Sequence, residues 1–372
     1  MLVAVVFWLF VAAATVQFFF LVYVFPRLTL HRADTAPNTD LQPVSVLVAA
    51  HNELPNLREL LPLLQNQNYP DFEVIVLDDR SNDGTNAFAQ HPAAAFDRVR
   101  FVHIKETYSH ITPKKYALTV GVKQAKHDII LLTDADCRPE SDGWIGRMMA
   151  QLTADKEIVL GFSPYEARPG FLNSFVRYET FYTALQYFSF ALAGSPYMGV
   201  GRNLLYRKSV FLKNRGFFSH INVVGGDDDL LMNEIATAAN TAVCVHPDAF
   251  VGSFPKETWG AWFTQKKRHL SVGKYYKTRH KVALGLLSGS QVLTWALGIF
   301  LLTQPAPTRV VVGALLGGRL LVLWLVHALA NRKLGSRADW YTLPFYDFLT
   351  VFYVGFMATT SFLNRKNRVI WK

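Results

Sequence analysis

Residues Leu2 to Phe25 carry no charged side chain, and no other feature restricts the fold of this chain as severely. At about 1.5 Å per helical residue the stretch is long enough to cross a hydrocarbon core of about 30 Å. It lacks the basic start, shorter apolar run and small-residue cleavage site of a signal peptide, so it reads as a retained anchor. Three more apolar stretches follow late in the chain: Val282 to Leu302, Val310 to Ala330 and Leu343 to Leu363, separated by QPAPTR and the basic loop NRKLGSRADW. The expected division is an anchor over 1–26, a catalytic domain over 32–281 and a C-terminal transmembrane region over 282–372. Composition agrees: 51% hydrophobic with only 18% charged residues is too apolar for an average soluble protein.

The flanking charges predict orientation. Arg27, His31 and Arg32 follow the anchor and nothing charged precedes it, which places the long central segment in the cytoplasm, at the cell (inner) membrane. The basic loop Asn331 to Arg337 is cytoplasmic too if the second and third stretches span. A fourth span would put the tail NRKNRVIWK outside, against the same rule, and Asp347 counts against a full crossing. That stretch is either re-entrant or interfacial, or the rule fails here. The net charge of +10 gathers in Lys256 to Lys281 and in the tail. Membrane lipid headgroups or phosphates fit this distribution, whereas no nucleic-acid-binding motif is present; topology alone explains the tail equally well. Cys137 and Cys244 form no CxxC pair, which argues against a disulfide framework or a zinc site.

Between the apolar ends the sequence alternates. VSVLVAAHNE, the helical stretch PNLRELLPLLQNQ, FEVIVLDDRSNDGT, RVRFVHI, a Lys-bearing helix and DIILLTDADC read as βαβ units with a mostly parallel sheet. Ligands of such α/β sheets bind beyond the carboxyl ends of the strands, where His51, Asn52, Glu53, Asp78, Asp79, Asp134 and Asp136 are expected. Beyond about residue 160 the pattern loosens into two aromatic helices, FLNSFVRYETFYTALQYFSFALA and ETWGAWFTQKKRHLSVGKYYK. Their aromatics suit either a membrane interface or the core of the domain's second half.

Four local patterns carry chemistry. Asp134 and Asp136, one residue apart at a strand end, can share a hard divalent cation while leaving positions open for diphosphate oxygens. Asp78 and Asp79 end a neighbouring strand, where an acidic residue commonly holds a ribose or a base edge; Asp83 and Ser81 also read as helix caps. In GGDDDLL, Asp227, Asp228 and Asp229 are costly to assemble unless a cation or a proton transfer needs them, although helix capping explains one. Gln265 and Arg268 lie one helical turn apart and can face one ligand, and Arg suits phosphate.

In this order the motifs resemble membrane-bound members of glycosyltransferase family 2, which include cellulose, chitin and hyaluronan synthases and several lipid glycosyltransferases. The resemblance covers roughly Pro43 to Lys277 and implies an α/β domain of the GT-A type. It implies nucleotide contacts at Ala50, Glu53 and Asp79. Lys114, and less directly Lys115, fall in the family's lysine motif near the donor phosphates. Asp134 and Asp136 become diphosphate and metal contacts, with Mg2+ or Mn2+ as cofactor, and Gln265 and Arg268 join the donor side. Asp228 aligns with the catalytic base, and its neighbours Asp227 and Asp229 stay in play because the run is degenerate. Gly201, Arg202 and Asn203 fall in the segment lining the acceptor entrance. His269 replaces the tryptophan of the QxxRW motif, which argues against processive synthesis.

The implied reaction is an inverting displacement: a sugar passes from a nucleotide-sugar donor, most simply a UDP-sugar, to a hydroxyl of a lipid or glycan acceptor. A polysaccharide synthase subunit and an inactive nucleotide-sugar-binding partner are the alternatives. A glycosidase would not need the nucleotide crevice, and a nucleotidyltransferase is expected to carry a glycine-rich loop where this chain has HNELPN.

Overall fold

The structure, a computed structural model, describes residues 1–32, 41–91, 96–106, 108–335 and 340–363. The basic tail over 364–372 and Arg337 of the basic loop lie outside the described residues.

The first apolar stretch is helical throughout. Helix α1 (Leu2–Phe19) runs through a π-helical segment, Phe20–Val24, into α2 (Pro26–Leu30). Pro26 sits in the first turn of α2, where a missing N–H costs nothing. The alternating part follows as β1 (Val44–Ala50), α3 (Leu54–Gln65), β2 (Phe72–Asp79), α4 (Thr85–Gln90), β3 (Val99–Ile104), α5 (Pro113–Gln124) and β4 (Ile129–Asp134). These strands pair in parallel in the order β3-β2-β1-β4. Next come β5 (Cys137–Pro139), α6 (Trp144–Met149), β6 (Ile158–Leu160), α7 (Phe171–Leu192), β7 (Leu204–Arg207), α8 (Lys208–Lys213), α9 (Asp229–Ile235), β8 (Thr241–Val243) and β9 (Val251–Ser253). Strand β7 joins β4 antiparallel, and β6 and β8 extend the sheet to seven strands. A two-stranded β5–β9 ribbon lies just past the Asp134-Ala135-Asp136 turn.

Burial on both faces explains the nearly continuous Val, Ile and Leu runs. From β1, Val44, Val46 and Val48 face a core containing Leu57, Leu60, Leu61 and Leu64 of α3. Leu47 faces the opposite core, with Leu118 and Val122 of α5, Phe181, Leu185 and Phe188 of α7, and Phe25 and Leu28 near the anchor. That second core also takes in Val326 and Ala330 of a C-terminal helix, so one apolar cluster joins the sheet to the apolar helices. The buried aromatics of α7 belong to it, which decides between interface and core for that helix.

The chain closes with α10 (Trp259–Val272), α11 (Thr278–Leu302), α12 (Thr308–Lys333) and α13 (Leu343–Leu363). Among the described residues three helical spans are long and apolar enough to cross a membrane: Leu2–Leu30, α11 and α12. Within α13 the apolar helix Leu343–Met357 is shorter. Asp347, which counted against a crossing in the sequence, is buried against Arg319 of α12, with contacts of 2.7 and 3.0 Å. Gln291 and Trp295 of α11 also donate to Asp347, and Gln17 of α1 accepts from Arg319 at 2.9 Å. A charge satisfied inside the bundle is the form in which ionisable groups persist among apolar helices.

Candidate active site

Strand register builds the site. Ala49 of β1 lies opposite Asp134 of β4, and Ala50 lies opposite Asp78 of β2. The end of β1 therefore stands between the two acidic strand ends, as the switch point of a parallel sheet requires.

On the β1–β2 side the loops are stitched together. Asn52 N donates to Ser81 Oγ at 2.9 Å, Asn82 N to Asn52 Oδ1 at 2.8 Å and Leu54 N to Asp83 Oδ2 at 2.7 Å. Asn52 and Arg80 both adopt φ of 57°, a left-handed conformation uncommon for residues other than glycine. Asp79 is buried and takes a bidentate contact from Arg80 at 2.8 and 3.0 Å. Asp78 faces His103 at 2.9 Å. Ala50 is buried, and Glu53 accepts from Asn56 at 2.6 Å. Burial raises the pKa of Glu53 despite that bond, and the charges of Asp136 and Asp134 add to the rise.

On the other side of β1 a cavity of about 840 Å³ opens, in the upper part of the roughly 300–1,000 Å³ range of small-molecule sites. Lys114, Asp134, Asp136, Arg202, Gln265, Arg268, His269 and the run Asp227 to Asp229 all line it. Lys114 Nζ lies 2.8 Å from Asp134 Oδ1 and 3.0 Å from Asp227 Oδ2, so one ammonium links two motifs 93 residues apart in sequence (227 − 134). Burial alone would lower its pKa, but Asp134, Asp227 and Asp228 hold it well above the ordinary value. Lys115 points away from the cavity, and its ammonium donates to the carbonyls of His220 and Val223 at 2.6 and 2.8 Å. The loop leading into the acidic run is thereby pinned to α5.

Gly225 and Gly226 turn that loop with φ of 81° and 77°, a conformation that glycine takes without strain. The three carboxylates then diverge. Asp227 pairs with Lys114. Asp228 caps α9, accepting from Asp229 N at 2.7 Å, and its other oxygen accepts from Gly201 N at 2.7 Å. Burial and the neighbouring Asp227 raise its pKa. Asp229 accepts from the Tyr276 hydroxyl at 2.8 Å, and burial together with Asp228 pushes its pKa up to about 8.

Arg202 stacks on Tyr165 with its guanidinium carbon 4.6 Å from the ring centre, and the Tyr165 hydroxyl accepts from Gln265 Nε2 at 3.4 Å. Ala50, Glu53 and Asp79 stand outside the cavity walls, at the ends of β1 and β2. Asn203 is not brought to the cavity: it is fully buried, accepts from Trp144 Nε1 at 3.0 Å and donates to the carbonyls of Phe162 and Ala249 at 2.8 Å. Lys266, Glu179, Tyr276, Gln291 and Thr350 line the cavity without having been singled out in the sequence. Lys266 lies inside QKKRH, where helical spacing offered a signal. Its ion-pair partner Glu179 lies on another helix and offered none.

Asp134 and Asp136 fit a hard divalent cation by donor chemistry. Among the described residues no group of three or more His, Cys, Asp or Glu side chains is arranged as a cage, so the protein offers two carboxylates and an open side facing the cavity.

A mostly parallel sheet with paired acidic strand ends beside a buried acidic run is an α/β arrangement of the GT-A type. Residues 45–214 match the family profile "Glycosyl transferase family 2". The chain is 26% identical over 258 residues to the probable glycosyltransferase YdaM of Bacillus subtilis, covering 63% of this chain and 56% of that protein. It is 26% identical over 233 residues to glycosyltransferase AglE of Haloferax volcanii, covering 62% and 72%. Thus it spans little more than half the length of the first of these relatives. The solved mannosyltransferase PcManGT of Pyrobaculum calidifontis, in complex with GDP-Man and Mn2+, superposes with a TM-score of 0.63 over 99% of this chain and 100% of that one, at 19% identity. That likeness speaks for the fold. Residues 45–214 thus resemble a glycosyltransferase family 2 domain.

Proposed function

We propose that this chain transfers a sugar from a UDP-sugar to a hydroxyl of a membrane-borne acceptor, with inversion at the anomeric carbon. The carrying observation is the single cavity that joins Lys114, Asp134 and Asp136 to the Asp227–Asp229 run and continues to Gln291 of α11 and Thr350 of α13. Nucleotide is held by Ala50, Glu53 and Asp79 beside the cavity, and the diphosphate reaches Lys114, Gln265 and Arg268. Asp134 and Asp136 would hold Mg2+ or Mn2+, which neutralises charge developing on the leaving diphosphate; the Mn2+ bound in PcManGT supports this assignment. Asp228, oriented by its two backbone N–H bonds, takes the acceptor's hydroxyl proton as that oxygen attacks. Arg202, Gly201 and His269 lie on the acceptor side. The catalytic domain, residues 32–281, works at the cytoplasmic face of the cell membrane, anchored by 1–26 and 282–372. A lipid-borne acceptor fits a cavity that ends between apolar helices better than a free glycan does.

The test is nucleotide release by the purified full chain in lipid nanodiscs, with Mn2+ or Mg2+, total membrane lipid and a panel of UDP-sugars, plus GDP-mannose because PcManGT binds it. The expected result is metal-dependent release with one preferred UDP-sugar, lost in Asp228→Asn. Release that persists in Asp228→Asn removes the base assignment. UDP binding without release from any donor favours a nucleotide-sugar-binding partner.

A further inference from the structure

We propose that Tyr276 and Asn233 are positioning residues of the transfer reaction: they fasten the short helix that begins at Asp228 to the turn leading into α11. This deepens, and rests on, the reading of Asp228 as the base.

Helix α9 has 7 residues, too few to be stable alone. The aim of the carboxylate that caps it therefore depends on what grips the helix from outside. Two buried polar side chains provide the grip. Asp229 and Asn233 stand one turn apart on α9, 8% and 2% exposed, and meet the same stretch of chain. Asp229 Oδ1 accepts from Leu230 N at 2.7 Å within the helix, and its Oδ2 accepts from the Tyr276 hydroxyl at 2.8 Å. Asn233 Oδ1 accepts from Lys277 N at 2.8 Å, and its Nδ2 lies 2.9 Å from His280 Nδ1. Lys277 Nζ donates to the Glu234 carbonyl at 3.0 Å.

The grip extends to the second support of the base. Asn233 Nδ2 also donates to the Tyr197 carbonyl at 2.8 Å, at the head of the segment whose Gly201 N–H donates to Asp228 Oδ2. The Tyr197 and Tyr276 rings lie 6.0 Å apart. One amide side chain thus keeps three things in register: the helix of the base, the segment that donates to the base, and the entry to α11. A buried amide or carboxylate is costly unless hydrogen-bonded, and here each is satisfied by a segment whose alignment the reaction needs. Tyr276 and Asp229 line the cavity beside Asp228 and Asn233 does not, so Asn233 acts only through the setting of the base.

The experiment uses the full chain in lipid nanodiscs with its preferred UDP-sugar and compares Tyr276→Phe and Asn233→Asp with the unaltered chain. Tyr276→Phe removes one oxygen; Asn233→Asp keeps the acceptor for Lys277 N and loses the donor to Tyr197. The expected result in each is a kcat about tenfold lower, with donor KM and UDP affinity unchanged and faster amide hydrogen exchange over 228–235. An unchanged kcat in Tyr276→Phe overturns the assignment even where exchange quickens, because the contact is then structural only. Unchanged exchange overturns it too, as does a loss of UDP affinity that matches the fall in kcat. Where Asn233→Asp fails to fold, Tyr276→Phe decides. No turnover by the unaltered chain sinks the transferase reading and this assignment with it; turnover that Tyr276→Phe leaves intact sinks the assignment alone.

Discussion

Asp228 receives two backbone N–H bonds, and that support predicts how the residue behaves under perturbation. A base must be ionised to accept a proton, and burial beside Asp227 raises its pKa. Activity is therefore expected to fall on acidification through a pKa above the ordinary aspartate value of about 3.9; an acid limb of kcat/KM at or below that value would contradict the assignment. Asp228→Asn should reduce kcat by about 10²–10⁴-fold with UDP affinity retained, read by UDP release and calorimetry. Gly201→Ala probes the support itself, because an added Cβ would lie 3.3 Å from Asp228 Oδ2 and 3.4 Å from its Cβ. If about 1.4 kcal/mol of the resulting strain falls on Asp228, kcat drops about tenfold while the KM for donor stays constant. At this scale the sequence was informative where chemistry is contiguous: Asp134 with Asp136, and the acidic run after its glycines. It was uninformative for Asn203, whose partners Trp144, Phe162 and Ala249 lie 41 to 59 residues away and leave no local signature.

Helix α5 presents two lysines to two tasks, and only one was legible. Lys114 follows from the resemblance, whereas the role of Lys115 depends on a loop more than a hundred residues downstream. Lys115→Met should strand the buried His220 carbonyl at about 1–3 kcal/mol and free the half-buried Val223 carbonyl at less. The expected outcome is a lower Tm together with a lower kcat, because the loop it pins carries Asp227 and Asp228; an unchanged Tm would show that the pin has no energetic weight. The parallel strands and α3 were plain in the sequence because runs buried on both sides and a leucine face are local patterns. The placement of α7 was not, since an aromatic helix reads alike at an interface and in a core until its neighbours are known.

For the whole molecule, the apolar segments announced a bundle of long apolar helices, and their partnerships stayed hidden. Nothing local in the sequence links Gln17, Gln291, Arg319 and Asp347. Removing one member of a buried ion pair costs about 3–5 kcal/mol, so Arg319→Met should lower the Tm of the detergent-solubilised chain markedly. The exchange Arg319→Asp with Asp347→Arg should recover part of that loss if the pair itself is what matters. The same network also orders events in time. Synthesis proceeds from the N-terminus, so α1 is made long before the groups that meet Gln17: the Leu287 carbonyl, the Ser290 hydroxyl and the Arg319 guanidinium. Gln17 must therefore wait for its partners while the whole α/β domain is translated between α1 and α11.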